Sequence, residues 1–242
     1  MMHNNSVPQP VNHTRLSDQA YEWVRNSILR RELPPGLRLD LDVLQRRLGI
    51  SRTPLKDAIN RLATEGLITQ VPRRGSYVTE LTPQNVCERF DARRVLEIGA
   101  VDDIIDALTE DHLVDLQRRY EELRAFQPNG SVEDYFAFLA RDREFHRALI
   151  AVTGNRLLVD IYEGLNLNVQ MAIVFYPFED KRLDLVDAEH MQILASLQRR
   201  DRRALKTAIT RHIEESKRAV LNTMQKSVGE KSPVWLTNGQ AL

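Results

Sequence analysis

The chain has 242 residues with 34 basic and 34 acidic side chains, so its formal net charge is zero. This length allows two domains with a substantial core, and the neutral charge disfavours a general nucleic-acid coat protein. A single cysteine, Cys87, excludes a disulfide within the chain. No apolar run approaches the roughly 20 residues that span a bilayer, and no signal-peptide pattern is seen, so we expect a cytoplasmic protein without membrane contact.

The charge is unevenly distributed, which indicates where the domains divide. Residues 15–80 hold 12 basic and 8 acidic side chains, whereas the rest of the chain holds 22 and 26. A basic unit of this size joined to an acidic one is typical of a nucleic-acid reader with a second domain. We therefore predict domains over 15–80 and 81–226, with flexible polar tails over 1–14 and 227–242.

Three short helices are predicted in the first domain. The first runs from Leu16 to Leu33 with Ser17 as its cap, and the second runs from about Leu41 to Leu48. Gly49 then makes a tight turn, Ser51 caps the third helix, and Leu55, Ile59 and Leu62 form its apolar stripe. Two short helices joined by a turn containing glycine are typical of a helix-turn-helix.

The opposite face of the third helix carries chemistry suited to DNA. A helix N-terminus with free amides, next to an arginine and a hydroxyl, suits phosphate contact and base-edge readout in a major groove. Taken alone, the segment is equally compatible with a solvated amphipathic helix. The candidate DNA-binding residues on this face are Arg52, Thr53, Lys56 and Asn60.

A β-hairpin is predicted directly after these helices. Residues 67–71 and 76–79 have strand character and flank a turn that holds Arg73, Arg74 and Gly75. Two arginines at a hairpin tip suit a phosphate or a minor groove, although an ordinary polar turn has the same composition. Three helices followed by a basic wing predict a winged helix-turn-helix.

The stretch from about Arg15 to Thr79 resembles the DNA-binding domain of the GntR family of bacterial transcription regulators. The resemblance implies operator binding through Arg52 and Thr53. Two positions depart from the family: Lys56 replaces the usual arginine and loses its planar fork, and Asp42 stands where some relatives have a basic residue. The motifs that carry the resemblance are Pro35-Gly36-x-x-Leu39, Leu48-Gly49-Ile50-Ser51-Arg52-Thr53-Pro54, Arg61-Leu62, Glu65-Gly66-Leu67-Ile68 and Arg74-Gly75-Ser76-x-Val78.

Beyond the wing the pattern is helical throughout. Because the connections are short, neighbouring helices are expected to run antiparallel, which predicts an all-α bundle. The six predicted helices lie near Pro83–Ala107, Glu110–Phe126, Val132–Val152, Arg156–Phe175, Leu183–Arg200 and Arg202–Met224.

Three histidines inside these helices are candidate metal ligands. His146, His190 and His212 lie in three different helices, and Asp142 precedes His146 by one helical turn. One carboxylate and three imidazoles suit a single divalent ion per chain, with zinc as the first choice and nickel, iron or manganese as alternatives. The alternative is that each histidine is a hydrogen-bonded core residue, and periodicity alone leaves both possibilities open.

The second domain resembles the ligand-sensing domain called FCD, over roughly Pro83 to Val220. The resemblance implies that Asp142, His146, His190 and His212 bind a metal that helps hold a small carboxylate effector. It also implies that Arg93 faces the effector, although Arg93 has the spacing of a surface ion pair with Glu97. Six helices point to the VanR-like branch. The motifs are Arg93-Arg94-x-Leu96-Glu97, Asp142-x-x-Phe145-His146, Gly154-Asn155, Glu189-His190-x-x-Ile193 and His212-Ile213.

Asn155 is a second candidate effector ligand, although Gly154-Asn155 is also a common turn between helices.

Taken together, these features predict a homodimeric transcription regulator, not an enzyme, with operator DNA and a small organic acid as partners. Repression relieved by the effector is the commoner expectation in the family. A metalloenzyme that activates water at the Asp/His cluster is the rival interpretation, but the sequence has no His-Glu-x-x-His motif. A third interpretation makes the metal itself the signal.

Overall fold

The computed structural model of the protein describes residues 13–126, 132–177 and 180–229. Within these ranges the chain forms an N-terminal unit of helices with a small sheet and a C-terminal unit made of helices. The elements of the first unit are α1 (His13–Leu29), β1 (Arg38–Leu39), α2 (Leu41–Leu48), α3 (Arg52–Thr64), β2 (Ile68–Val71) and β3 (Gly75–Val78).

The first helix buries the predicted face but has different ends. Ala20, Val24 and Ile28 are buried at the spacing of one helical stripe. Because α1 already begins at His13, Ser17 lies inside the helix and is not its N-cap. Residues 13 and 14, which were predicted to belong to the N-terminal tail, are part of this helix. The helix ends at Leu29, four residues earlier than predicted, because Arg31 adopts a left-handed backbone with φ 63°.

The helix-turn-helix pair follows the prediction. α2 has the predicted bounds, with Asp40 as its N-cap, and Gly49 turns the chain at φ 64°. Ser51 occupies the N-cap position of α3, but its side chain makes no capping hydrogen bond. Leu55 and Ile59 are buried together with Leu62, so the predicted apolar stripe of α3 is confirmed.

The wing contains one more strand than predicted. β2 and β3 pair antiparallel around residues 72–74, and β1 adds to the other edge of β3, with Arg38 opposite Tyr77. The strand order is β1-β3-β2. A two-residue strand has no detectable alternation, so only its pairing reveals it. This pairing fixes the segment after α1 to the base of the wing.

The second unit is a helical bundle. Its first predicted helix, over 83–107, is interrupted at Ala100, next to Gly99, a weak helix former. Taken together, the two resulting helices and the five that follow correspond to the six predicted ones. The last helix continues three residues beyond the predicted boundary at 226. The helices are α4 (Pro83–Gly99), α5 (Val101–Ala107), α6 (Glu110–Arg124), α7 (Val132–Ala151), α8 (Arg156–Phe175), α9 (Asp180–Gln198) and α10 (Arg202–Gly229).

Two predicted features lie outside the described residues: the break at 128–130 and the chain beyond 229. The VanR-like branch, which depended on the helix count, stays a prediction. Among the described helices, none combines the length and apolar character that crossing a membrane requires.

The two units contact each other through α1 and α8. The guanidinium of Arg31 donates to the backbone oxygen of Val174 and lies 5.9 Å from the ring centroid of Phe175. This contact satisfies a carbonyl at the C-terminal end of α8, where a cation is favoured by the helix dipole. The N-terminal unit is therefore attached to a helix of the bundle.

Candidate functional site

The outward face of α3 is free of protein packing. Arg52, Thr53, Lys56 and Asn60 are all exposed, as the sequence predicted for a recognition helix. Asp42 Oδ1 lies 3.9 Å from Arg52 Nη1, so an acidic side chain stands next to the predicted base-reading arginine. The Oδ1 of Asn60 accepts a hydrogen bond from Gln70 Nε2 at 2.8 Å, which joins α3 to strand β2 of the wing.

The wing tip presents the two predicted arginines to solvent. Arg73, Arg74 and Gly75 are exposed, and Arg73 has a left-handed backbone with φ 62°. Gly75 has φ 114°, and a Cβ there would lie 3.4 Å from Arg38 Nε. The positive φ favours glycine at this turn, whereas the contact with the flexible Arg38 side chain would be an ordinary one. A contact between this residue and DNA stays a prediction.

The four predicted metal ligands converge in the core of the bundle. Asp142 and His146 come from α7, His190 from α9 and His212 from α10, and all four are buried. One potential ligand atom from each lies within 4.8 Å of the others. His146 Nε2 is 3.2 Å from both His212 Nε2 and His190 Nε2, and Asp142 Oδ1 is 3.1 Å from His190 Nε2.

Each of the three imidazoles is oriented through its other nitrogen. His146 Nδ1 lies 3.0 Å from Glu97 Oε2, and His212 Nδ1 lies 3.1 Å from Glu189 Oε2. His190 Nδ1 lies 2.8 Å from the backbone oxygen of Val186, one turn earlier in α9. A proton on each Nδ1 satisfies these acceptors and leaves each Nε2 lone pair facing the common centre, as in metal-binding histidines.

Both orienting glutamates are themselves held by buried arginines. Arg93 Nε is 2.5 Å from Glu97 Oε1, so the predicted i, i+4 pair forms inside the bundle and not on its surface. Arg182 donates two hydrogen bonds of 2.8 Å to Glu189. The site thus contains two arginine–glutamate–histidine chains that approach the centre from different helices.

Sequence reasoning missed Glu189 and Arg182 as parts of this site. Glu189 directly precedes His190, so an acidic residue beside a candidate ligand was an available signal. The seven-residue separation of Arg182 from Glu189 carries no comparable signal, because two helical turns do not place side chains in obvious contact.

The protonation states fit metal binding. Burial lowers the pKa values of His146 and His212, and the neighbouring imidazoles lower that of His212 further. Burial opposes ionisation of Asp142 and Glu97, but the hydrogen bond to His190 and the adjacent imidazoles outweigh it at Asp142, and Arg93 together with His146 outweighs it at Glu97. The pKa of Asp142 falls well below its ordinary value, and that of Glu97 falls to about 2. Neutral imidazoles and ionised carboxylates are the forms that coordinate a metal.

The spacing of the donors also fits a cation. Two Nε2 lone pairs only 3.2 Å apart repel each other unless a proton or a cation lies between them. Zinc–nitrogen bonds of 2.0–2.1 Å place tetrahedral ligands about 3.3 Å apart. The 4.0 Å between Asp142 Oδ1 and His146 Nε2 is longer than that edge. Asp142, His146, His190 and His212 are therefore the residues that could hold a divalent ion.

Three buried donors near this cluster have no hydrogen-bond partner within the described part of the chain: Arg93 Nη2, Tyr162 OH and Asn166 Nδ2. The guanidinium carbon of Arg93 is 5.8 Å from the ring centroid of Tyr162, and Asn166 follows Tyr162 by one turn of α8. Burial raises the pKa of Tyr162 well above 10, so its hydroxyl keeps its proton. Unsatisfied buried donors are costly, so these three groups are candidate ligand-binding groups.

The other predicted effector ligand has a different role. Asn155 is the N-cap of α8, where its side chain accepts hydrogen bonds from the backbone nitrogens of Leu157 and Leu158. It is exposed and lies about two turns before Tyr162, so the structure does not bring it to the buried cluster. The tight turn at Gly154, with φ 69°, explains the Gly-Asn pair as a helix connection.

Comparison with known families identifies both units. Residues 16–78 match the bacterial regulatory proteins of the gntR family, and residues 88–215 match the FCD domain. The second match alone spans more than half of the 242 residues. The chain therefore belongs to the GntR family of transcription regulators with an FCD domain, and it is a DNA-binding regulator.

Individual relatives agree with this assignment. The HTH-type transcriptional repressor RspR of Escherichia coli is 27% identical over 220 residues, covering 90% of this chain and 92% of the relative. An uncharacterized HTH-type transcriptional regulator of Bacillus subtilis, YdhC, is 27% identical over 194 residues, covering 80% and 86%.

Among solved structures, Escherichia coli McbR/YncC has the same fold, with a TM-score of 0.71, 22% identity and coverage of 87% of this chain and 98% of that one. These families and relatives are regulators and not enzymes, so the metalloenzyme interpretation is set aside.

Proposed function

We propose that this protein is a cytoplasmic, homodimeric repressor whose operator affinity is controlled by a small organic acid bound beside a metal ion. The observation that carries this proposal is the set of unpartnered donors on Arg93, Tyr162 and Asn166 near a buried cluster of metal-binding groups. A carboxylate has the charge and acceptor atoms that these donors lack.

In this proposal Asp142, His146, His190 and His212 hold the ion, with zinc as the first candidate and nickel, iron or manganese as alternatives. A bound divalent ion supplies positive charge, which offsets the cost of removing an acid from water. Arg93 contributes a second cation, and the pair with Glu97 keeps its pKa above the ordinary value although burial opposes it.

Control of DNA binding requires that the effector favour one arrangement of the DNA-reading units over another. Helix α8 carries Tyr162 near the cluster and ends at Phe175, and the backbone oxygen of Val174 next to this end accepts a hydrogen bond from Arg31 of the DNA-binding unit. The same helix therefore contacts both regions. In a homodimer, two copies of α3 would read two half-sites of a near-palindromic operator. RspR and Escherichia coli GlaR, which is 28% identical over 161 residues, are both named repressors.

The central test is cooperativity between metal and acid. A thermal-shift screen of organic acids on metal-loaded protein first identifies a responsive acid, which is then titrated calorimetrically into metal-loaded and metal-stripped protein. We expect at least tenfold weaker binding without metal, a coupling typical of linked sites. By linkage, the acid should tighten metal binding by the same factor.

Variants separate the contributions of the two groups. Tyr162→Phe should weaken the acid while leaving metal content near that of the parent, because Tyr162 takes no part in the two arginine–glutamate–histidine chains, whereas His190→Ala should reduce both. Equal affinity for the acid in the two metal states would overturn the proposal that the ion helps hold it. Operator affinity that follows metal concentration without any acid would instead support the metal as the signal.

A further inference from the structure

A cleft of about 290 Å³ lies between the DNA-binding unit and the bundle, separate from the metal cluster. The C-terminal part of α1 and the residue after it form one wall, which includes Arg25 and Arg30. The facing side is built from α7, with Arg143, Phe136 and Leu139, and Gln170 of α8 also lines the cleft.

The charge of this cleft is strongly one-sided. Three arginines line it, and within the described part of the chain no carboxylate does. Clefts with walls of low dielectric constant concentrate the field of such charges and attract anions.

Within the cleft itself the arginines form few short ion pairs, while on their other side Arg25 and Arg143 line an adjoining cavity with Glu65, Asp160 and Glu163. Arg25 lies 3.9 Å from the exposed carboxylate of Glu22, a distance at the limit of an ion pair. Arg143 Nη2 lies 3.2 Å from Glu144 Oε1, and its buried Nε has no acceptor among the described residues. In the same described ranges, no side-chain ion pair involves Arg30. Hydrogen-bonding capacity for an anion therefore remains.

The rest of the lining is apolar enough to select among anions. Phe136 and Leu139 pack against the buried core and also line the cleft. Gln170 is buried, and its Nε2 donates to the backbone oxygen of Leu139 at 3.1 Å, which fixes its amide. A ligand with one anionic end and a small apolar body would match both kinds of surface.

We propose that this cleft is a second ligand site, which binds a small organic anion with an apolar body through Arg25, Arg30 and Arg143. An anion held there would join α1 of the DNA-binding unit to α7, the helix that carries Asp142 and His146 on its buried side. It would therefore favour one relative placement of the two units and alter operator affinity. This inference does not depend on the metal or on the acid proposed above.

Phenyl phosphate is the probe, with inorganic phosphate for comparison. Calorimetric titration of the full chain should show saturable binding of phenyl phosphate and weaker binding of inorganic phosphate, because only the former contacts Phe136 and Leu139. Arg143→Gln should weaken phenyl phosphate about tenfold, the usual effect of losing a charge-assisted hydrogen bond. Arg30→Gln should weaken it several-fold, and since Arg30 is exposed its replacement leaves the fold intact.

Arg118→Gln is the matched control, because Arg118 is a half-exposed arginine on α6 paired with Asp115 and Glu122, outside the cleft. It should bind phenyl phosphate like the parent. Undetectable binding of phenyl phosphate at millimolar concentration would overturn the proposal. An affinity for phenyl phosphate that is equal in Arg143→Gln, Arg30→Gln and the control Arg118→Gln would also overturn it. So would loss of binding in His190→Ala alone, which would place the probe at the metal cluster. Weaker operator binding in the cleft variants with unchanged probe affinity would assign the arginines to DNA.

Discussion

At the scale of single residues, the histidine cluster depends on groups that do not themselves face its centre. Glu97 and Glu189 each accept a hydrogen bond from one imidazole, and each forms an ion pair with one arginine. Buried charges of this kind are tolerated only when they are paired, so each arginine neutralises a glutamate that in turn orients a histidine. Outer contacts of this type commonly set metal affinity as strongly as ligand identity does.

Glu189→Gln tests this role. The amide keeps the size of the side chain but removes the carboxylate that accepts from His212 Nδ1, so metal affinity should fall by roughly 10- to 100-fold. Competition with a chromophoric chelator measures the change. Because the substitution leaves Arg182 buried without its partner, the double variant Arg182→Gln/Glu189→Gln should show the same loss with a better preserved fold. Glu215→Gln, on the exposed side of α10, is the control, and equal affinity in all variants would contradict the role.

At the scale of secondary-structure elements, we expect α3 and the wing to have different tasks in DNA recognition. The N-terminal turn of α3 presents Arg52 and Thr53, whereas the wing presents Arg73 and Arg74 from a turn. A recognition helix reads base edges, whereas arginines at a hairpin tip meet the phosphate backbone or a minor groove. The hydrogen bond between Gln70 and Asn60 holds strand β2 of the wing in a fixed position relative to α3.

Arg52→Ala should reduce discrimination between operator and random DNA by about 1–3 kcal/mol, the usual contribution of a base-reading arginine. Arg74→Ala should weaken binding to both DNAs by similar factors and lower the salt dependence. Fluorescence anisotropy with operator and scrambled duplexes at several salt concentrations distinguishes the two outcomes. If Arg52→Ala is folded and discriminates like the parent, α3 is not the reading helix.

At the scale of the whole molecule, burying the histidines links stability to pH. The folded-state pKa values of His146 and His212 lie below the ordinary 6.5, because burial disfavours the charged imidazole. The unfolded chain therefore binds more protons, and the free energy of unfolding falls as the pH drops below about 6.5. Glu97, with a pKa lowered from 4.5 to about 2, extends the same trend to more acidic pH, since its contribution is lost as it becomes protonated.

Metal-stripped protein should accordingly show a melting temperature that changes little between pH 7.5 and about pH 6.5 and then decreases towards pH 5. His212→Gln removes one of the buried imidazoles, so its melting temperature should depend less steeply on pH over the same range. Thermal unfolding followed by circular dichroism in chelator-containing buffers checks both expectations. A parent protein whose melting temperature is constant between pH 7.5 and pH 5 would show that these imidazoles are accessible to protons in the folded state.

The sequence by itself determined the two-unit plan and the helix-turn-helix, and it named the four side chains that the structure brings together in the bundle. Helical periodicity and turn residues act locally, so the bounds of α2 and the stripe of Leu55, Ile59 and Leu62 follow from nearby residues alone. Asp142 and His146 share a helix face for the same reason. His190 and His212 were candidates from their positions in predicted helices, and the motif resemblance favoured a metal site over the core-histidine interpretation, which spacing alone left open.

The tertiary structure decided what depends on contacts between distant segments. The pairing of β1 with β3, the approach of Arg182 to Glu189, and the burial of Arg93 with Glu97 are set by packing. Asn155, a candidate ligand by resemblance, is instead a helix cap because α8 begins there. The arginine-lined cleft is formed where α1 meets α7 and α8. The spacing of residues within α1 does not reveal which surfaces of other helices it will cover.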